Sequence, residues 1–181
     1  EAEGLEAMEK KMEAAREAEL AGEEAKQGKE ILEAGEVAVE AEAEASKEAA
    51  VLEVALKEAG LVDEAAEMKE LRVELELGSL SGEDLGLKAT RAHALAVKLK
   101  ESGNLEVAAE AEKLAGQLEE AVKAKLSVEV LEKEREAAGE LREAAAQGHA
   151  LAEALLGEGM GEDAAEVERI VAVMEDVLVG K

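Results

Sequence analysis

Two histidines, His93 and His149, are the side chains best suited to proton or ligand chemistry near neutral pH, and they stand 56 positions apart in equivalent surroundings. A histidine pair carried on two helices is one way a helical bundle holds haem or a metal ion. The local sequence gives that chemistry little support. Neither residue belongs to a His-x-x-x-His or Glu-x-x-His pattern, and only Glu153, four residues after His149, is spaced to join a histidine on one helical face. At about 100° per residue, His93 lies about 90° from the centre of the stripe formed by Ala89, Ala92, Ala96 and Leu99, and His149 is placed similarly. Both are therefore expected at the border of a core, packing against it. They stand as the only cofactor-binding candidates; no cofactor, metal site or catalytic residue is assigned.

Other groups give less. With 46 acidic residues in 181, no carboxylate pair stands out, and an acid catalyst needs a pocket that shifts its pKa. Glutamates at helical spacing read as a hydrated face. Ser46, Ser79, Ser81, Ser102 and Ser127 have no His-Asp arrangement nearby, so a nucleophile is not expected. The stretch Gly157-Glu158-Gly159-Met160-Gly161 resembles a phosphate-binding loop only superficially. It lacks the lysine and the preceding strand, and Glu158, Glu162 and Asp163 would repel phosphate, so it reads as a linker. The chain is not expected to be an enzyme.

The elements that must position these residues are helices throughout. Ala, Glu, Leu, Lys and Arg dominate, and Phe, Trp, Tyr, Pro and Cys are all absent. The dominant types lose little rotamer freedom in a helix and offer the backbone no competing hydrogen bond. The period-two run Glu40-Ala41-Glu42-Ala43-Glu44-Ala45 formally matches a strand, but Ala and Glu are depleted in strands, so helix is expected there as well. Glycine is the one strong punctuator. Breaks are expected at Gly35, at Gly60, across Gly78-Ser79-Leu80-Ser81-Gly82, at Gly103-Asn104 and across Gly157 to Gly161. A further break around Leu126-Ser127 competes with one continuous helix to Leu156. Ser81 is a candidate N-cap, with Asp84 three residues on. The last helix, from about Glu162, carries the cleanest stripe (Val167, Ile170, Val171, Met174, Val177 and Leu178) and is expected to be the best-anchored element. About six to seven helices result, in one all-α domain over residues 1–181. They would form antiparallel helical hairpins, packed as an α-solenoid-like array or a helical bundle, with close contacts at Gly116, Gly139 and Gly148.

The core must be thin. Aromatic side chains usually supply the largest buried areas, and here Ala, Leu and Val carry the apolar share. The net charge of −25 argues against nucleic acid and anionic membrane surfaces as partners, and permits a basic peptide or protein, or self-association. No apolar run approaches the roughly 20 residues that span a bilayer, and Glu1-Ala2-Glu3 does not open a signal peptide. A soluble protein, cytoplasmic if expressed in a cell, is expected.

The histidines sit in an internal repeat. Over 28 aligned positions from His93 and from His149, twelve residues are identical, among them Leu99/Leu155, Gly103/Gly159, Ala108/Ala164, Glu112/Glu168 and Glu119/Glu175. The hairpin around Gly60 fits the same template at an offset of 43, pairing Leu56 with Leu99, Gly60 with Gly103 and Ala65 with Ala108. The pattern Leu95-Ala96, Leu99, Gly103-Asn104-Leu105, Ala108 and Ala115 resembles the tetratricopeptide repeat, over roughly residues 50–120 and 149–175. That resemblance implies stacked hairpins with a groove for a peptide, here acidic. The chain departs from the family in having no aromatic residue near Leu99 or Leu105 and no closing proline, and the 56-residue spacing is irregular.

The missing residue types are easily produced when a sequence is chosen for helix formation. The first functional expectation is accordingly a designed or engineered helical scaffold without catalytic activity. A tetratricopeptide-like module for a basic peptide is the alternative, and a bis-histidine haem or metal binder the third.

Overall fold

The computed structural model describes residues 2–180, and among these it contains five helices and no strand. They are α1 (Ala2–Glu58), α2 (Val62–Leu77), α3 (Gly82–Glu101), α4 (Leu105–Gly157) and α5 (Gly161–Leu178). The all-helical expectation holds, and the Ala-Glu run at 40–45 is helical. The count of six to seven does not hold, because the expected break at Gly35 is absent and, of the two competing readings at Leu126-Ser127, the continuous helix is the one found. Gly35 lies inside α1 and Leu126-Ser127 inside α4. Glycine inside a helix costs roughly 1 kcal/mol relative to alanine, too little to interrupt so long a run of strong helix formers. None of the described helices is long and apolar enough to cross a membrane.

Where glycine does end a helix, it takes a left-handed conformation. Gly60, Gly78, Gly103 and Gly159 have φ of 79°, 63°, 84° and 80°. The three template turns close identically. The amide of Gly60, Gly103 or Gly159 donates to the carbonyl of Lys57, Lys100 or Leu156, at 3.0–3.1 Å. The next amide, on Leu61, Asn104 or Met160, reaches back to Leu56, Leu99 or Leu155 at 2.8–2.9 Å. This is the paired bonding of a Schellman turn, which satisfies the last carbonyls of a helix. In each copy the carbonyl of Leu61, Asn104 or Met160 then accepts from Ala65, Ala108 or Ala164 and starts the next helix. The fourth connection ends α2 in the same way, the Gly78 and Ser79 amides donating to the carbonyls of Leu75 and Glu74 at 3.2 and 3.3 Å, but starts the next helix differently: Ser81 caps α3, its hydroxyl accepting from the Asp84 amide at 3.1 Å.

The chain divides into two compact units, one of residues Ile31–Val130 and one made of the described residues up to Glu30 with those from Leu131 on. In the first, one apolar cluster draws on four helices. Ala45, Ala49, Leu52 and Leu56 come from α1, Met68 and Leu71 from α2, Leu85, Leu95 and Leu99 from α3, and Ala108, Leu114 and Leu118 from α4. Ion pairs ring this core. Arg72 of α2 meets Glu53 of α1, Arg91 of α3 meets Glu67 of α2, Lys100 of α3 meets Glu112 of α4, and Lys113 and Lys125 of α4 return to Glu48 and Glu42 of α1. Along each pair of helices the bridged positions run in opposite order, so neighbours are antiparallel. A small residue is needed where α3 begins: Leu126 of α4 fills the space that a Cβ on Gly82 would take, and the Gly82 amide donates to Glu129 at 2.9 Å.

In the second unit, Ala145 and Ala152 of α4 and Ala164, Val171 and Leu178 of α5 are buried. The expectation that α5 is the best-anchored helix fails, since Ile170, Val173 and Val177 stay more than half exposed. The two neighbouring segments cover only a strip of its apolar surface. Of the expected close contacts, Gly116 and Gly139 face open space, whereas Gly148 lies directly under a Val171 methyl. The repeat explains the last contact: Gly148 occupies the position of Ala92, and Val171 that of Ala115. One position loses a methyl where its counterpart's methyl becomes an isopropyl, so the smaller residue makes room for the larger one across the hairpin.

Gly148→Ala is therefore expected to lower stability by roughly 1–3 kcal/mol through overpacking. Adding Val171→Ala, which restores the pairing of the other copy, is expected to recover most of that loss in urea unfolding. Additive losses would contradict the compensation.

Candidate functional site

The described histidines are placed at the border of the core, as their helical angles imply, and each is held by glutamates of the following helix. His93 Nε2 lies 2.6 Å from Glu119 Oε1, both side chains being about half exposed. His149 Nε2 lies 2.7 Å from Glu175 Oε1, and its Nδ1 lies 3.2 Å from Glu168 Oε1. Glu119 and Glu175 are repeat equivalents, as are Glu112 and Glu168. The same clasp thus joins α3 to α4 and α4 to α5. His93 and His149 belong to different units, and neither unit brings the two together.

The copies differ at one position, with a traceable consequence. In the first, Lys100 Nζ holds Glu112 Oε1 at 2.8 Å. The counterpart of Lys100 is Leu156, so Glu168 has no lysine there and accepts from His149 instead. Because a carboxylate can only accept, carboxylates at both nitrogens favour the doubly protonated form of the His149 ring. Burial by itself would lower its pKa, but the hydrogen bonds and charges of Glu175 and Glu168 together outweigh that effect and raise it above the usual 6.5.

Glu175 is the centre of this arrangement. It is only 6% exposed, and its second oxygen accepts from Arg16 Nε of α1 at 3.2 Å. The Arg16 guanidinium also donates to Asp176 Oδ1 at 2.5 Å and to the Ala172 carbonyl at 3.2 Å. Arg16 and His149 therefore share one buried carboxylate, and three helices meet there. Glu153, the ligand suggested by local spacing, takes no part in the histidine's hydrogen bonding. Among the described residues no group of three or more histidine or acidic side chains is arranged to hold a metal ion.

One carboxyl escaped the sequence reading. Glu48 of α1 is 5% exposed, yet its Oε1 has no hydrogen-bond partner. Its Oε2 lies 3.5 Å from Lys113 Nζ, and Glu110 stands beside it. Burial first, and then the Glu110 carboxylate, push its pKa up to about 7, against a smaller opposing pull from Lys113. A protonated Glu48 can donate to Glu110, which satisfies both groups. Nothing in the sequence separates Glu48 from the other glutamates of α1.

Four of the five serines make hydrogen bonds within the fold. Ser81 caps α3, Ser79 and Ser102 bond the carbonyls of Glu74 and Leu99, and Ser46 reaches Glu76 at 3.5 Å. The Gly157–Gly161 stretch narrows to a turn between the end of α4 and the start of α5, without a side-chain cap at Met160.

The raised pKa of His149 fixes a sign: its contribution to stability is complete below about pH 6.5 and is lost as pH rises through the folded-state value. Followed by NMR, the His149 ring is expected to titrate above 6.5, and Glu175→Gln to lower that midpoint. An unmoved midpoint in the variant would contradict the clasp. No known family model, curated protein or solved structure matches the chain.

Proposed function

We propose that the chain is a helical structural scaffold without a catalytic role, of designed or engineered origin. The observation that carries this reading is the repeated clasp. Both histidines, the residues most capable of chemistry, have a glutamate of the next helix as partner at equivalent repeat positions. A side chain so engaged holds helices together. Composition supports the origin, since strong helix formers fill the chain and every aromatic residue, proline and cysteine is missing. The ion pairs that return from α4 to α1 favour a closed bundle for residues 31–130 over a stacked solenoid. The tetratricopeptide-like part is then the turn itself, carried by Leu99, Gly103, Asn104 and Ala108.

A second reading, a module that binds a basic peptide, is favoured by the net charge of −25 and by the buried, unpartnered carboxylate oxygen of Glu48.

The scaffold reading is tested against the bis-histidine one by adding haem or Zn²⁺ to the intact chain while recording the His93 and His149 ring signals. Unmoved signals are expected, together with a lower unfolding midpoint for His149→Gln at pH 6. Ring signals that shift with either ligand, and no longer do so in His93→Gln/His149→Gln, would overturn the scaffold reading.

A further inference from the structure

A groove of about 210 Å³ runs between α1 and α4, lined by Glu44, Lys47, Glu48, Val51, Lys113 and Gln117. Two acceptors in its wall lack donors once Glu48 is ionised and no longer donates to Glu110: Glu48 Oε1 and Gln117 Oε1 are both buried and have no hydrogen-bond partner. A buried carboxylate oxygen without a donor is costly, because it has given up water and received nothing in exchange. The facing charged groups are Glu44 and Lys47 on α1 and Glu110 and Lys113 on α4. Lys113 covers the groove without filling it. Its side chain is 63% exposed, and its ammonium reaches only the other oxygen of Glu48, at 3.5 Å.

We propose that this groove receives the guanidinium head of an arginine side chain, which donates to Glu48 Oε1 and Gln117 Oε1 while its alkyl stem lies on Val51 and Lys113 swings aside. The chemistry fits on three counts. A guanidinium offers several N–H donors in one plane, enough to serve two acceptors on different residues. It is less strongly hydrated than an ammonium and enters a semi-buried site more readily. Val51, about half exposed at the rim, supplies the apolar surface along which such a stem packs. The inference rests on the second functional reading and gives it a place and a ligand.

Binding and protonation compete at Glu48. The carboxyl must ionise to accept from the guanidinium, so affinity rises with pH across the range where Glu48, with its pKa near 7, loses its proton. Between pH 6 and pH 8 the ionised fraction, and with it the apparent affinity, increases about tenfold.

The experiment is an NMR titration of the amide-labelled chain with N-acetyl-argininamide, with the neutral N-acetyl-citrullinamide as control. Expected are saturable shifts confined to the amides around Glu48, Val51 and Gln117, about tenfold tighter at pH 8 than at pH 6. They should be absent with the citrulline compound and lost in both Glu48→Gln and Gln117→Leu, variants whose circular dichroism first confirms the fold. Lys113→Ala, which opens the groove and removes the resident cation, should tighten binding several-fold. Shifts spread over the whole acidic surface, or unchanged in Glu48→Gln, would overturn the site. An arginine-rich peptide that binds without moving the groove amides removes the site and leaves the basic-partner reading standing. No binding of that peptide at low salt removes both.

Discussion

The absence of aromatic side chains is the constraint on which the rest of the structure depends. Ala and Leu make a thin core, in which Ala45, Ala49, Ala111, Ala115 and Ala121 are completely buried between close helices. Close approach brings the polar flanks of each helix inward, so that Glu42, Glu48, Glu53 and Glu175 end up almost as buried as the core beside them. A carboxylate in that position is destabilising unless a cation or hydrogen-bond donor reaches it. Lys125, Lys113, Arg72 and the pair Arg16 and His149 approach these four from neighbouring helices. The exposed ion pairs such as Lys100–Glu112 belong to a different class and contribute little individually.

Repetition supplies the means of keeping helices close. The Schellman turn at Gly60, Gly103 and Gly159 reverses the chain in the fewest residues, and the histidine clasp fastens two of the resulting hairpins further along. Divergence between copies is matched by compensation. Gly148 accepts the larger Val171, and the loss of a lysine at Leu156 turns Glu168 toward His149. In both cases one substitution is intelligible only beside its partner across the hairpin.

The sequence made the helices legible because propensity is consistent along the whole chain, and it made four turns legible because their glycines take positive φ. The same reasoning misplaced a break at Gly35, where glycine merely weakens a helix that its neighbours sustain. It also left Leu126-Ser127 undecided, in a stretch that is continuous helix. The border position of the histidines could be read from helical angle alone. Their partners could not be read from local spacing, which pointed to Glu153; the signal lay in the repeat, where His93 and Glu119 recur together as His149 and Glu175. Glu48 carried no such signal, since its burial depends on where α4 crosses α1. The stripe on α5 misled for a related reason: periodicity marks a face able to be buried, and the number of neighbours decides how much of it is.

The central claim, that carboxylates beside this thin core are held by cations from neighbouring helices, is tested most directly by a double-mutant cycle on His149→Gln and Glu175→Gln in urea unfolding at pH 6. Coupling of about 1 kcal/mol or more is expected for a contact made through a buried oxygen. Strictly additive losses would contradict the claim and leave the clasp as a surface contact without structural weight.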